Sequence, residues 1–154
     1  MPKGTLQPSS RMCFICGVEN PVGLKLRIYE IEPGMVESRY TAPPHFQGYP
    51  GILHGGIIAT LLDAAMTNCL FAHGFVCLTG ELKVRYYHPV NIGKAAHTHA
   101  WLERSAHRLH YLRAELEQDG VIKAAASSKF LETDTAIRRD DSGGAQAAGG
   151  GPQK

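Results

Sequence analysis

The chain has 154 residues, room for one domain built on one hydrophobic core. Apolar residues make up 44% of it and charged residues 19%, the balance of an ordinary soluble globular protein. A formal net charge of +2 names no nucleic-acid or membrane partner, although a small positive excess suits a phosphate-bearing ligand.

Met1 to Arg11 carries charges without an apolar h-region, so this stretch reads as a flexible leader (1–11) and not as a secretory signal. No apolar run reaches the roughly 20 residues of a bilayer span, and a cytoplasmic location is expected. Cys13-x-x-Cys16 follows. It could be half of a zinc site, but a structural site wants four ligands and no second pair is present. It also lies before the first strand, where a redox motif does not belong. A local turn with packed thiols is the simpler reading. Leu24–Ile31 alternates apolar and polar residues, the period of a half-buried strand. Glu32-Pro33-Gly34 is a turn signal, and Met35–Thr41 reads as the returning strand. Ala42–Gly51 is a Pro/Gly-rich loop.

From His54 to Ala72 the period changes. Ile57, Ile58, Leu61, Leu62, Ala65, Met66, Cys69 and Leu70 recur at helical spacing, with more apolar cover than a surface helix needs. A sheet should cradle this helix, and Gly74 ends it. The remaining elements are strands, at Phe75–Pro89, Lys94–Ser105, Arg108–Gln118 and Val121–Leu131. Asn91-Ile92-Gly93, a short Ser105–His107 join and Asp119-Gly120 separate them, the last a strong hairpin signal. Cys69 and Cys77 sit in apolar stretches and are expected to be buried thiols, with no structural disulfide in a cytosolic chain. Residues 138–154 are rich in Gly, Ala and charge, so they cannot offset their ordering entropy and read as a disordered tail. The fold class is α+β, with antiparallel strands and one long helix in a single domain at 12–132.

Chemistry concentrates at the start of that helix. The first N–H groups of a helix have no intrahelical partner, and the macrodipole makes that end positive. Gly55 and Gly56 leave those groups uncovered by side chains, as an oxyanion hole requires; close packing of the loop would also select glycine. Asp63 is flanked by Leu61, Leu62, Ala64 and Ala65. A carboxylate there is desolvated unless it is paired, for instance to backbone or to Asn68, or working. Desolvation raises its pKa, the usual tuning of a general base. Asp63 lies eight residues beyond Gly55, about 12 Å along a helix axis. One carbonyl carbon cannot meet both groups of one chain, so the pattern predicts a symmetric dimer with shared sites.

The segment HGGIIATLLDAAM resembles the signature of hotdog-fold thioesterases, in particular the PaaI-like (phenylacetate-degradation) and thioesterase superfamily member 2-like group. The opening CFICGVENPVGLKLRIY and the strand LTGELKVRYYHPV extend the resemblance from about Cys13 to Leu131. It implies a curved antiparallel sheet wrapped around one helix, and hydrolysis of acyl-CoA without a metal or cofactor. It also implies that Gly55 donates its N–H to the thioester oxygen, and that Asp63 is the nucleophile or the general base. Thr79 would position the water and His54 would shape the hole. Relatives carry Asn or Gln six residues before the histidine. Here that place is Gly48 and Gln47 stands one earlier, so Gln47 serves only after a loop shift. Gly56, Phe46 and Met66 are the candidate substrate contacts. Arg85, Lys94, Arg104, Arg108 and Lys123 are candidates for the CoA phosphates.

Other readings stand beside this one. His97 and His99 share a strand face, without an evident third metal ligand. His45-Phe46 faintly resembles the loop of hotdog hydroxyacyl dehydratases, but their helix Glu, fourteen residues on, is replaced here by Ala59. A non-catalytic acyl-CoA-binding protein would share the pocket but has no need of Asp63. The expected assembly is a homodimer, with a dimer of dimers beyond it. The acyl chain is not legible, because it depends on which of Phe46, Tyr49, Met66, Phe71 and Tyr86 point inward.

Overall fold

The computed structural model describes residues 10–133; the expected tail and nearly all of the expected leader lie outside them. The elements are β1 (Ile28–Glu32), β2 (Met35–Thr41), a single 3-10 turn at Pro44–Phe46, α1 (Gly55–Ala72), β3 (Cys77–Tyr86), β4 (Ala95–Ala106), β5 (Leu109–Gln118) and β6 (Val121–Glu132). The strands form one antiparallel sheet in the order β1-β2-β4-β5-β6-β3.

All six strands touch α1, so the sheet wraps the helix. Small residues make this possible. Ala100, Ala114 and Ala126 are partners across β4, β5 and β6, and all three are buried, leaving a shallow trough under the helix. Leu61, Leu62, Ala65, Met66 and Cys69 fill it from above, each 0% exposed, and Phe130 closes it from β6. By length and composition α1 could cross a membrane, but here its apolar side chains form the core.

The expected helix and strand order is the observed one, with shifts at the ends. The alternation from Leu24 is real, since Leu24, Leu26 and Ile28 are all buried. The ladder begins only at Ile28, because Lys25 turns the backbone to φ 51°. Residues 10–27 are an irregular strap, held by Leu24 N–H to Phe14 O at 2.9 Å and Leu26 N–H to Ile15 O at 2.8 Å. Asp119 and Gly120 take φ 54° and 76°, the double positive pair of the hairpin turn that Asp-Gly favours. Cys69 and Cys77 are buried thiols, and burial is the leading cause that pushes the first up to about 12 and the second to about 11.

Candidate active site

His54 is the N-cap of α1. Its extended backbone (φ −60°, ψ 133°) lets Nδ1 accept the Gly56 N–H at 2.9 Å, and its carbonyl accepts Ile57 N–H and Ile58 N–H. Among the described residues no acceptor meets the Gly55 N–H. The two glycines therefore separate in role. Gly56 is bonded into the cap, while Gly55 keeps a donor at the positive end of the helix. No neighbour demands glycine at position 55, since a Cβ there would meet only the Tyr86 ring at an ordinary 3.5 Å. The Tyr86 hydroxyl donates to Gly55 O at 2.9 Å, pinning the helix start to the end of β3.

Asp63 is half-buried two turns further on. Its Oδ1 accepts the Thr79 hydroxyl at 2.9 Å, so Thr79 on β3 is its partner and Asn68 is not. Asn68 donates instead to Ala64 O at 2.8 Å. Burial raises the Asp63 pKa above the ordinary 3.8, and the Thr79 hydrogen bond pulls it back in part. A carboxylate held half out of water, with one oxygen fixed and its pKa raised, is a stronger base than an ordinary one and is equipped to take a proton from a water.

Asp63 lines a cavity of about 320 Å³ between the helix, β3 and the strap. Thr60, Thr67 and Leu82 form part of its wall, and Cys13, Ile15 and Cys16 form another. Sequence reasoning missed the strap residues. The turn expected at Cys13-x-x-Cys16 is present, closed by Gly17 N–H to Cys13 O at 2.9 Å, but it lies against the site. The helix-side residues carried a signal: Thr60, Asp63 and Thr67 recur at helical spacing as the polar stripe of an otherwise apolar helix.

The structure does not gather the remaining candidates around Asp63. Met66 is a core residue with no place in this cavity. Gln47 uses Oε1 to accept the Gly51 N–H at 3.1 Å, closing its own loop. Phe46 packs on His45 with ring centroids 4.5 Å apart, and its carbonyl accepts the His54 N–H at 3.0 Å, so it supports the cap from behind. Lys94 pairs with Asp119 at 3.2 Å, the Arg104 guanidinium lies 3.6 Å over the Tyr111 ring, and Arg108 faces Glu132 at 3.9 Å. Arg85 lines a separate outer-face cavity with Lys83 and Arg113. His97 and His99 flank Glu37 at 3.2 Å and 3.3 Å on that outer face. Among the described residues no group of three or more His, Cys, Asp or Glu side chains is placed to hold a metal ion.

Residues 50–125 match the family model described as the thioesterase superfamily. Acyl-coenzyme A thioesterase THEM4 of Bos taurus is 24% identical over 129 residues, covering 82% of this chain and 53% of its own length. The chain spans between 40% and 56% of the length of the curated relatives it matches. A solved thioesterase superfamily protein shares the fold with a TM-score of 0.75 and 24% identity, covering 79% of this chain and 61% of that one. The phenylacetic acid degradation-related protein of Ralstonia eutropha JMP134 is 28% identical with a TM-score of 0.64, covering 73% of this chain and 92% of that one.

Proposed function

We propose that the chain, which matches the thioesterase superfamily model over residues 50–125 and has the hotdog fold, hydrolyses acyl-coenzyme A thioesters to the free acid and coenzyme A. One observation carries the reading. Asp63 is a half-buried carboxylate, bonded to Thr79 at 2.9 Å, on the wall of a cavity. A site that only bound its ligand would have no use for that desolvation cost.

In this reading Asp63 is the general base. The Thr79 hydroxyl gives its hydrogen to Oδ1, which leaves its oxygen free to accept from a water. That water attacks the thioester carbon while the second Asp63 oxygen takes its proton. Charge collects on the carbonyl oxygen, where a Gly55 N–H at the positive helix end stabilises it. The C–S bond then breaks, and the coenzyme A thiolate leaves and takes up the proton. Gly55 and Asp63 of one chain are about 12 Å apart along the α1 axis. The proposed site therefore pairs Asp63 of one protomer with Gly55 of its partner.

A thiol-release assay over short, long and aromatic acyl-CoAs tests this. Asp63→Ala is expected to lose at least about 100-fold in turnover, the scale of a lost general base, while still binding acyl-CoA. Unchanged turnover in that variant would overturn the assignment. Binding without turnover of any acyl-CoA by the wild type would instead establish a non-catalytic acyl-CoA-binding protein.

A further inference from the structure

A second constellation lies beyond the C-terminal end of α1, at the β4–β5 hairpin. His110 on β5 is 1% exposed and packs on Phe75 with ring centroids 4.2 Å apart. Its Nδ1 meets Ser105 Oγ at 2.7 Å, and its Nε2 meets Glu132 Oε1 at 2.7 Å. Ser105 and His110 are direct cross-strand partners, and the β-bulge between Leu102 and Arg104 puts Ser105 on the inner side of β4. Glu132 ends β6, where its N–H bonds Arg108 O at 3.0 Å and ties the strand end to the hairpin turn. Ser105 itself is exposed.

We propose that Ser105, His110 and Glu132 form a nucleophilic triad that makes Ser105 an acyl acceptor for activated esters, at a site separate from Asp63. An ionised carboxylate only accepts hydrogen bonds, so Nε2 carries the imidazole proton and donates it to Glu132. Nδ1 then accepts from the Ser105 hydroxyl. Nucleophile, base and orienting carboxylate stand in hydrogen-bond contact in that order. The two ring nitrogens are exchanged relative to the serine protease arrangement. A purely structural role would also satisfy both nitrogens of a buried histidine, but it would leave Ser105 no more reactive than any other serine.

The reaction proceeds in two balanced steps. Ser105 Oγ attacks the ester carbonyl carbon as its proton passes to Nδ1, giving an imidazolium held by Glu132. The bond to the leaving phenol breaks, the phenolate takes the proton from Nδ1, and acyl-Ser105 remains. Water then attacks the acyl carbon with Nδ1 taking its proton, and the free acid departs as that proton returns to Ser105.

The test treats the full chain with a fluorophosphonate, in which Ser105 Oγ displaces fluoride from phosphorus, and locates the adduct by peptide mass spectrometry. Ser105 is expected to label at least about tenfold faster than any other serine, a conservative share of what general-base assistance supplies. Glu132→Gln keeps the side-chain shape at a partly exposed position and should slow labelling about tenfold or more. With p-nitrophenyl acetate, a burst of p-nitrophenol is expected that Ser105→Ala abolishes. No adduct on Ser105, a rate no greater than that of other serines, or a rate unchanged in Glu132→Gln would overturn the proposal. No acyl-CoA enters either measurement, so failure here is distinguishable from failure of the thioesterase reading.

Discussion

At the scale of single residues, the two proposed catalytic groups are separable by substitution. Gly55→Pro should remove the oxyanion donor and little else. Proline has no N–H, it suits the first position of a helix, and His54 before it already holds the extended backbone that a pre-proline residue prefers. Turnover is expected to fall about 10²–10³-fold with the melting temperature nearly unchanged, as thermal unfolding beside steady-state kinetics would show. The raised Asp63 pKa makes a second expectation. The pH profile of kcat/KM should have an acid limb centred above the ordinary 3.8, because the protonated carboxyl cannot act as base. Thr79→Ala should move that limb to higher pH, since the lost hydrogen bond favoured the charged form. The stability contribution has its own sign. A folded pKa above the unfolded one means that the native state binds more protons between the two values, so this contribution is present at low pH and lost as pH rises through the folded value. Asp63 was legible in the sequence as one charge in an apolar helix. Thr79 was not, because its partner is sixteen residues away on another element and only family resemblance pointed to it.

At the scale of elements, the helix and the strands could be read because each shows its own period, and the helix carries caps that name its ends. His54 and Gly74 bound α1 where expected. The part of the strap at residues 13–16 could not be read as part of the site, because it has no period and it meets α1 across more than 40 residues of chain. Its geometry gives it a test. A Cβ on Gly17 would run into the Cys13 backbone inside the turn, and backbone cannot yield as a flexible side chain can. Gly17→Ala is expected to cost about 1–3 kcal/mol, as overpacking does, measured by denaturant unfolding. The turn sets Cys13 and Cys16 against the cavity, so the same change should raise KM for acyl-CoA more than it lowers kcat. An unchanged KM would remove the strap from the substrate pocket.

For the whole molecule, the unusual feature is the outer edge of the sheet. β3 bonds β6 on one side and has no strand partner on the other among the described residues, and Leu78 and Tyr86 on it are each half exposed. A long, partly apolar edge invites pairing with another strand, and this edge also carries Thr79 and Tyr86, which grip Asp63 and Gly55. A second copy paired along β3 by a two-fold axis would set its α1 antiparallel to the first, facing each Gly55 with a partner's Asp63. Complementation then distinguishes shared from private sites. Gly55→Pro and Asp63→Ala chains are each expected to be inactive alone. Mixed by co-expression or refolding, half of randomly formed dimers are heterodimers, and each holds one intact site, made from Gly55 of the Asp63→Ala chain and Asp63 of the Gly55→Pro chain. About a quarter of wild-type activity should return. Sites built within one chain would return none, because no chain in the mixture carries both groups, and that outcome would end the shared-site account while leaving Asp63 as the base.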